Sequence, residues 1–557
     1  MTAAAITSNR QEPDRPAMIV VALATLGGLV LRIHLTTRMQ SPFMFYDEMT
    51  GPAIARQIGG VHIQTFGAAS NPLYGALLTP GVLAGVGPGG FYDFALIVNA
   101  GLAASLTPLL YVLSTRVLNT GPMTGAVGAV AGGLSAASVG FTSMMVPEAL
   151  ATATIPVAIL AFHCYARHPD ALKNQAVLAG ATTAAFATHQ RLLVVVLAAM
   201  LSVALLAVQR QVSKAAALRT LALVVSGYLV VALTTAALHE RIYVPGSPDS
   251  GGPSEIVARA WESPALVLRS LIGTSFYLSA STAGLAVVGI VALVCLSRPS
   301  RPTSAVHRFV VLTLAGSVAL SALFVSGVMA TSGFRVDAYT YGRYVEHLAP
   351  VLIVYACAGW GSRQVRVAGL GIGLLLVAGG GLFAALVYSD AFWTGPIAQQ
   401  NHIGLHWVRL TEGVLDIPAL TVYFAAPVVL ALAMSVSDRL RVPVFALSAA
   451  LMVVSGTVFV TKWSSKASEN VVAVAEFGQQ LDALGGDFSI RVPVSVVSPI
   501  TAQQLEFWAP EVDLVPFFGG EPPLTDAVLM TANSPPPVGA VELMTAERGD
   551  LVLWGLP

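Results

Sequence analysis

The chain has 557 residues, room for more than one domain, and its 29 basic and 29 acidic side chains leave no formal net charge. That balance speaks against a nucleic-acid partner or an anionic surface. With 55% hydrophobic residues, a mean hydropathy of +0.74 and recurring apolar runs of about 17–25 residues, the composition excludes a simple water-soluble globule and requires a polytopic membrane protein. The three cysteines, Cys164, Cys295 and Cys357, fall within or at the ends of predicted spans, so no disulfide framework is expected and their spacing matches no metal site.

In chain order, residues 1–16 are polar, and the first apolar run after them is as long as a membrane helix and lacks a small-residue cleavage site. It reads as a retained first helix. Spans are predicted at residues 17–35, 94–114, 122–143, 149–166, 174–189, 192–209, 218–238, 265–296, 309–329, 345–361, 367–388, 414–435 and 443–461. With the N-terminus inside, alternate short loops carry Arg116, then Arg167 and Lys173, then Arg210, Lys214 and Arg219, then Arg298, Arg301 and Arg308, then Arg363 and Arg366, then Arg439 and Arg441. All land on one side, as the positive-inside rule requires. Only Glu12, Asp14, Asp170 and Asp438 among the acids lie with them. Residues 71–86 are short and contain Pro72 and Pro80, so they read as a re-entrant or surface helix. Counting them as a span would invert everything downstream and break the charge rule.

Outside, the first loop runs from about residue 36 to 93, and residues 239–264 form a polar Gly/Pro/Ser-rich loop. The apolar spans stop at residue 461. Residues 462–557 read as a small soluble α/β domain with twelve acids against four bases. Its strand-like runs are residues 492–497 and 551–554, and its helix-like runs are 471–484 and 502–508. No internal repeat of fixed period is visible.

Four candidate positions for chemistry share the outer face. The first is Phe45-Tyr46-Asp47-Glu48-Met49-Thr50. A partly desolvated carboxylate at the water–lipid boundary is tuned toward general-base work; the plainer reading is a solvated interfacial acid paired with Arg38 or Arg56. The second is Glu148, which follows Met144-Met145-Val146-Pro147 and opens a span, where a carboxylate also favours a helix N-terminus. The third is His189-Gln190-Arg191, which interrupts a long apolar stretch. Arg191 there reads as a ligand for a lipid phosphate or as an arginine snorkelling to the headgroups. The fourth is Tyr339-Thr340-Tyr341-Gly342-Arg343-Tyr344-Val345-Glu346-His347 at the mouth of the tenth span. Arg343 among Tyr341 and Tyr344 suits phosphate or sugar recognition, although tyrosines are also ordinary interfacial belt residues.

An N-in first span, a long outer loop opening on Asp47-Glu48, Asn71-Pro72-Leu73-Tyr74 before an apolar helix, Glu148 opening a span, the basic break at Arg191 and the Tyr-Gly-Arg-Tyr loop together resemble the integral-membrane GT-C glycosyltransferases. Protein mannosyltransferases, aminoarabinose transferases and actinobacterial arabinosyl- and mannosyltransferases belong to that group, and the Ala/Val/Gly/Leu-rich composition is associated with actinobacterial genomes. The resemblance covers most of residues 1–461. It departs at Ala69-Ser70, where the group often has a histidine before the Asn/Pro; His62 is near but out of place. The resemblance implies a GT-C-like fold of about thirteen helices with a small C-terminal extracytoplasmic domain, Asp47 as catalytic base, and Glu48 as its partner. It also implies a polyprenyl-phosphate sugar donor whose phosphate is held by Arg191 and Arg343, with Glu148, His189, Tyr341 and Tyr344 lining the site. No cofactor is implied with certainty, and a divalent cation stays open.

The function expected is transfer of a sugar from a polyprenyl-phosphate donor to an extracytoplasmic glycan, lipid or protein, with inversion, at the plasma (inner) membrane. Hydroxyl attack at the anomeric carbon needs a base on the nucleophile and charge stabilisation on the departing phosphate. The alternative is a transporter or flippase of a glycolipid. Such proteins favour ionisable residues near the bilayer midplane and inverted repeats, neither of which is evident here.

Overall fold

The computed structural model describes residues 14–556 except 40, 43–47, 62–64, 66–70, 244–257, 259–261, 299–302, 332–338, 388–391, 394–398, 407–414, 484–488, 494–496, 498, 511, 518–524 and 547–550. The long first helix α1 (Arg15–Thr36) leads to two short helices, α2 (Thr50–Ile58) and α3 (Pro72–Leu83), and then to α4 (Pro88–Arg116). α5 (Pro122–Gly133) and α6 (Ala136–Gly140) form a pair bent by 58°, extended by a 3₁₀ turn to Ser143. α7 (Glu148–Arg167), α8 (Leu172–Thr188), α9 (Leu193–Val208) and α10 (Lys214–Ile242) follow. After them come α11 (Pro264–Ser281), α12 (Leu285–Leu296), α13 (Ser304–Thr331), α14 (Ala349–Gly359), α15 (Arg363–Val387), α16 (Ile417–Met434) and α17 (Arg441–Asp482). Proline at the first turn opens α3, α4, α5, α11 and α14, where its missing N–H costs nothing.

Among the described residues nine helices are long and apolar enough to cross a membrane, and the two bent pairs raise the number to eleven. The two other spans expected from sequence are helical but shorter: α8 has 17 residues, and Glu346–Gly359 forms a short apolar helix. Residues 71–86 are likewise a short helix, 12 residues long. The run 265–296, read from sequence as one span, turns by 107° between α11 and α12. The turn is made by Ala283 (φ 51°) and Gly284 (φ 81°), both left-handed, a conformation that no helix interior can contain.

Burial sorts the helices. The apolar window of α7 is 78% buried and that of α10 only 11%, so α7 sits inside and α10 faces outward. α14 is apolar on every side, and residues 349–357 are all buried. It packs against α12 and α5. Close approach is made by missing side chains, since a Cβ at Gly289 of α12 would strike Leu352 O and one at Gly132 of α5 would meet Pro350 O at 2.7 Å.

The buried guanidinium of Arg32 in α1 holds the α5–α6 break open. Its Nε donates to Ser138 O (2.9 Å), Nη2 to Gly133 O (2.6 Å) and Ser138 Oγ (2.9 Å), and Nη1 to Gly28 O (3.0 Å). The carbonyls freed at the bend are thereby satisfied without water, which a backbone at membrane depth requires.

α17 runs for 42 residues, past the end of the last apolar span at residue 461, and delivers the chain directly to a five-stranded sheet. The strands are β3 (Ser489–Pro493), β4 (Asp513–Phe517), β5 (Ala527–Thr531), β6 (Val541–Thr545) and β7 (Leu551–Gly555), in the order β4-β3-β5-β7-β6. β3 pairs parallel with β4 and β5, and β7 pairs antiparallel with β5 and β6. Phe477 and Leu481 from α17 and Ala502 and Leu505 from α18 (Pro499–Trp508) close a core over Ile490, Val492, Leu529 and Leu553. A two-residue ladder, β1 (Phe392–Trp393) with β2 (Leu415–Asp416), lies between α15 and α16. α18 docks on the first long loop: Arg56 Nη1 and Nη2 donate to Glu506 O (3.0 Å) and Phe507 O (2.8 Å), and Phe507 packs on Phe91.

Candidate active site

The site forms where the break after α5–α6 feeds α7. Ser143, Met144, Met145, Val146 and Glu148 are all buried. Asn99, in the middle of the apolar α4, fixes this loop: its Nδ2 donates to Met144 O (2.7 Å) and Val146 O (3.4 Å) and also to the Tyr74 hydroxyl (3.0 Å). A buried asparagine in an apolar helix is costly and is kept only for such work. The loop's N–H side is held from the first long loop, where Glu48 Oε1 accepts from the Met145 N–H at 3.1 Å. Glu48 is completely buried, so it is not the solvated interfacial acid that one sequence reading allowed. Asp47 lies outside the described residues. Tyr74 stands within electrostatic reach of both Glu48 and Glu148.

α3 is anchored by its N-cap. Asn71 Nδ2 donates to Phe186 O of α8, and Thr235 of α10 donates to Asn71 Oδ1 at 3.2 Å. The Asn-Pro motif therefore serves to staple the first loop onto two membrane helices.

Glu148 is the centre of the cluster. Its Oε1 accepts from Arg343 Nε (2.6 Å), pairs with Arg343 Nη2 (2.5 Å) and accepts from Arg191 Nη2 (3.3 Å). The three side chains are 2%, 6% and 4% exposed respectively for Glu148, Arg343 and Arg191. Arg191 enters from the 3₁₀ turn between α8 and α9, where its backbone N–H donates to His189 Nδ1 at 3.2 Å. Its guanidinium lies 5.3 Å from the centre of the Tyr344 ring, and Tyr344 packs at a tilt of 35° against Tyr341 with ring centres 5.4 Å apart. Three residues far apart in sequence thus place two buried cations on one carboxylate oxygen.

The structure gathers Glu48, Glu148, His189, Arg191, Arg343 and Tyr344, with Tyr341 behind Tyr344. It gives contacts to Glu346 and His347, which belong to the fourth sequence candidate without an assigned role, and adds Tyr277 and Asn99, which the sequence reading did not single out. Glu346 accepts from the Tyr277 hydroxyl, which in turn accepts from the Gly404 N–H at 2.9 Å. His347 is buried beside it, and Asn99 organises the loop. Asn99 was legible as an amide in the middle of an apolar run, and Glu346 and His347 stand in the same stretch as Arg343. Tyr277 carries no sequence signal, because its contacts come from 69 and 127 residues away. No group of three or more His, Cys, Asp and Glu able to hold a metal ion occurs among the described residues.

Two buried guanidiniums around one carboxylate, at the mouth of an apolar bundle, can hold an anionic oxygen; adjacent carboxylates can orient or deprotonate a hydroxyl. No family model matches the chain, and no curated protein matches it in sequence. Among solved structures, ArnT from Cupriavidus metallidurans in the apo state is similar, with a TM-score of 0.51 at 12% identity over 97% of this chain and 98% of that one. The same protein bound to undecaprenyl phosphate gives 0.48 at 14% identity, covering 96% and 97%. The arabinosyltransferase EmbB from Mycobacterium smegmatis gives 0.43 at 14% identity, covering 80% of this chain and 40% of that one. This chain is a multi-pass membrane protein with a GT-C-like fold.

Proposed function

We propose that the protein is a membrane glycosyltransferase that moves a sugar from a polyprenyl-phosphate donor to an extracytoplasmic acceptor, inverting the anomeric centre. The observation that carries this reading is the convergence of Arg191 and Arg343 on Glu148, joined through one short loop to Glu48. Asp47 precedes Glu48 in the chain, and we assign it the second carboxylate role from that adjacency in sequence.

The reaction needs two things at one place. The attacking hydroxyl must lose its proton, and Asp47 is the group assigned to take it, with Glu48 anchoring the segment on the Met145 N–H. The departing lipid phosphate must gain stabilisation as the glycosidic C–O bond breaks. Arg191 and Arg343 supply it, and Arg191 Nε, which has no partner among the described residues, is available to the phosphate. Glu148 keeps the two guanidiniums together before the donor binds. A phosphate is a good leaving group, so no separate acid is required on that side. Residues 1–461 then form the catalytic membrane unit and residues 462–557 an extracytoplasmic domain, carried by α17 and docked on the first loop through Arg56.

The transporter reading makes use of the two bent helix pairs. The charged cluster argues against it, since Glu148, Arg191 and Arg343 all stand at helix ends. The test is turnover by the purified protein in nanodiscs with a panel of polyprenyl-phosphate sugars, with the released polyprenyl phosphate followed by mass spectrometry. Transfer that Asp47→Asn abolishes supports the proposal. No transfer from any donor, together with donor movement across vesicle bilayers, would establish the transporter instead.

A further inference from the structure

Beside the two arginines lie three buried polar groups whose hydrogen-bonding capacity is unfilled among the described residues. Glu148 spends only Oε1 on the arginines, and Oε2 has no partner. Glu346, 4% exposed, accepts from Tyr277 through Oε1 while Oε2 has none. His347, 3% exposed, has a partner at neither Nδ1 nor Nε2. The turn Glu346–Leu348 packs directly on α7, which Glu148 opens. Arg191 is within electrostatic reach of both Glu346 and His347, and Glu148 is within reach of Glu346. Buried polar atoms without partners are rare, and three at one position call for an occupant.

The chemistry of the open positions selects that occupant. The Glu148 oxygen, on a carboxylate paired with two arginines, only accepts; the Glu346 oxygen accepts when ionised and donates when protonated; the imidazole at neutral charge offers one donor and one acceptor. A phosphodiester presents only acceptors and is repelled by the Glu148 carboxylate oxygen. A polyhydroxylated ring presents several O–H donors within a few ångströms of one another, and each also accepts. We infer that Glu346, His347 and the free oxygen of Glu148 form the subsite that binds the hydroxyl groups of the donor's sugar, next to the arginines that hold its phosphate.

The inference rests on the glycosyltransferase reading and deepens it, because the sugar is joined to that phosphate and must lie within one bond of it. It also divides labour along the chain. Arg191 and Arg343 recognise what every polyprenyl-phosphate donor shares, and the turn at residues 346–347 recognises what distinguishes one sugar from another.

The test compares two kinds of probe, bare polyprenyl phosphate and the mannosyl and arabinofuranosyl polyprenyl phosphates, binding to the full-length protein in nanodiscs. Variants are Glu346→Gln, His347→Phe and His347→Gln, with thermal unfolding as a folding check. His347→Phe and Glu346→Gln are expected to weaken the preferred sugar-bearing probe by roughly tenfold, the value of one or two hydrogen bonds, and to leave bare polyprenyl phosphate within about twofold. His347→Gln, which keeps a donor and an acceptor, is expected to fall between wild type and His347→Phe. Equal losses on both kinds of probe, or none on any sugar, overturn the subsite. So does a wild type that binds bare polyprenyl phosphate as tightly as every sugar-bearing probe, a result that leaves the donor reading standing. A wild type that binds none of the probes overturns both.

Discussion

Replacing Glu148 by Gln tests whether the arginine pair waits for an anion. The substitution keeps the shape and one acceptor oxygen but removes the negative charge that contacts Arg343 (2.5 and 2.6 Å) and Arg191 (3.3 Å). Taking one partner from a buried ion pair costs about 3–5 kcal/mol. Glutamine's carbonyl can still accept one N–H, so the lower end, about 3 kcal/mol, is expected for the ligand-free protein. The same change adds one unit of positive charge where the phosphate is assigned. Polyprenyl phosphate should therefore bind the variant more tightly, by about tenfold or ~1.4 kcal/mol. A ligand at a hundred times its Kd stabilises by about 2.7 kcal/mol, and its effect grows as Kd falls at fixed concentration. The assay is thermal unfolding of both proteins, followed by tryptophan fluorescence, with and without polyprenyl phosphate. The variant is expected to unfold earlier alone and to gain more from the ligand than wild type does. A ligand gain equal to or smaller than that of wild type would refute the reasoning, because the phosphate then does not sit against these two arginines.

Three further outcomes follow from the same contacts. Asp47→Asn is expected to lower kcat by about 10²–10⁴, the usual worth of a general base, with polyprenyl-phosphate binding retained; near-wild-type turnover removes Asp47 from that role. Burial pushes Glu506 up to about 8 from 4.5, with Thr65 and Arg56 pulling it partly back. The folded state therefore keeps a proton that the unfolded chain has lost. Docking of α18 is strongest below about pH 4.5 and weakens by a few kcal/mol as pH rises to about 8. Hydrogen exchange in α18 at pH 6.5 and pH 9 checks this, and Glu506→Gln should abolish the difference; a fall in the variant matching that of wild type contradicts it. Arg32→Met removes the donor from three acceptor contacts at the α5–α6 break and from one within α1, and should cost about 3 kcal/mol or more by thermal unfolding, while Arg38→Met, near the exposed end of α1, should change stability by less than about 0.5 kcal/mol.

Hydropathy and charge placement alone determined that this is a helical membrane protein, where most helices run, and that a small α/β unit follows the last span. Those features follow from local physics: an apolar run of sufficient length satisfies its own backbone in lipid, whatever it packs against. Local sequence also picked out Glu148, Arg191 and Arg343, because a charge at the edge of an apolar run is conspicuous. What it left open was their relation. Arg343 lies 195 residues from Glu148 and Arg191 lies 43 residues from it, and no periodicity encodes that both meet the same oxygen. The 107° turn between α11 and α12 was equally hidden, since two left-handed residues, one of them an alanine, redirect a run whose hydropathy never falters. Glu48 on the Met145 N–H, Asn99 on two loop carbonyls, and the unpartnered faces of Glu346 and His347 exist only once the helices are packed. Local hydropathy sets which segments leave water, whereas contact between polar groups inside the bundle depends on helix order, tilt and loop closure, which only the tertiary structure decides.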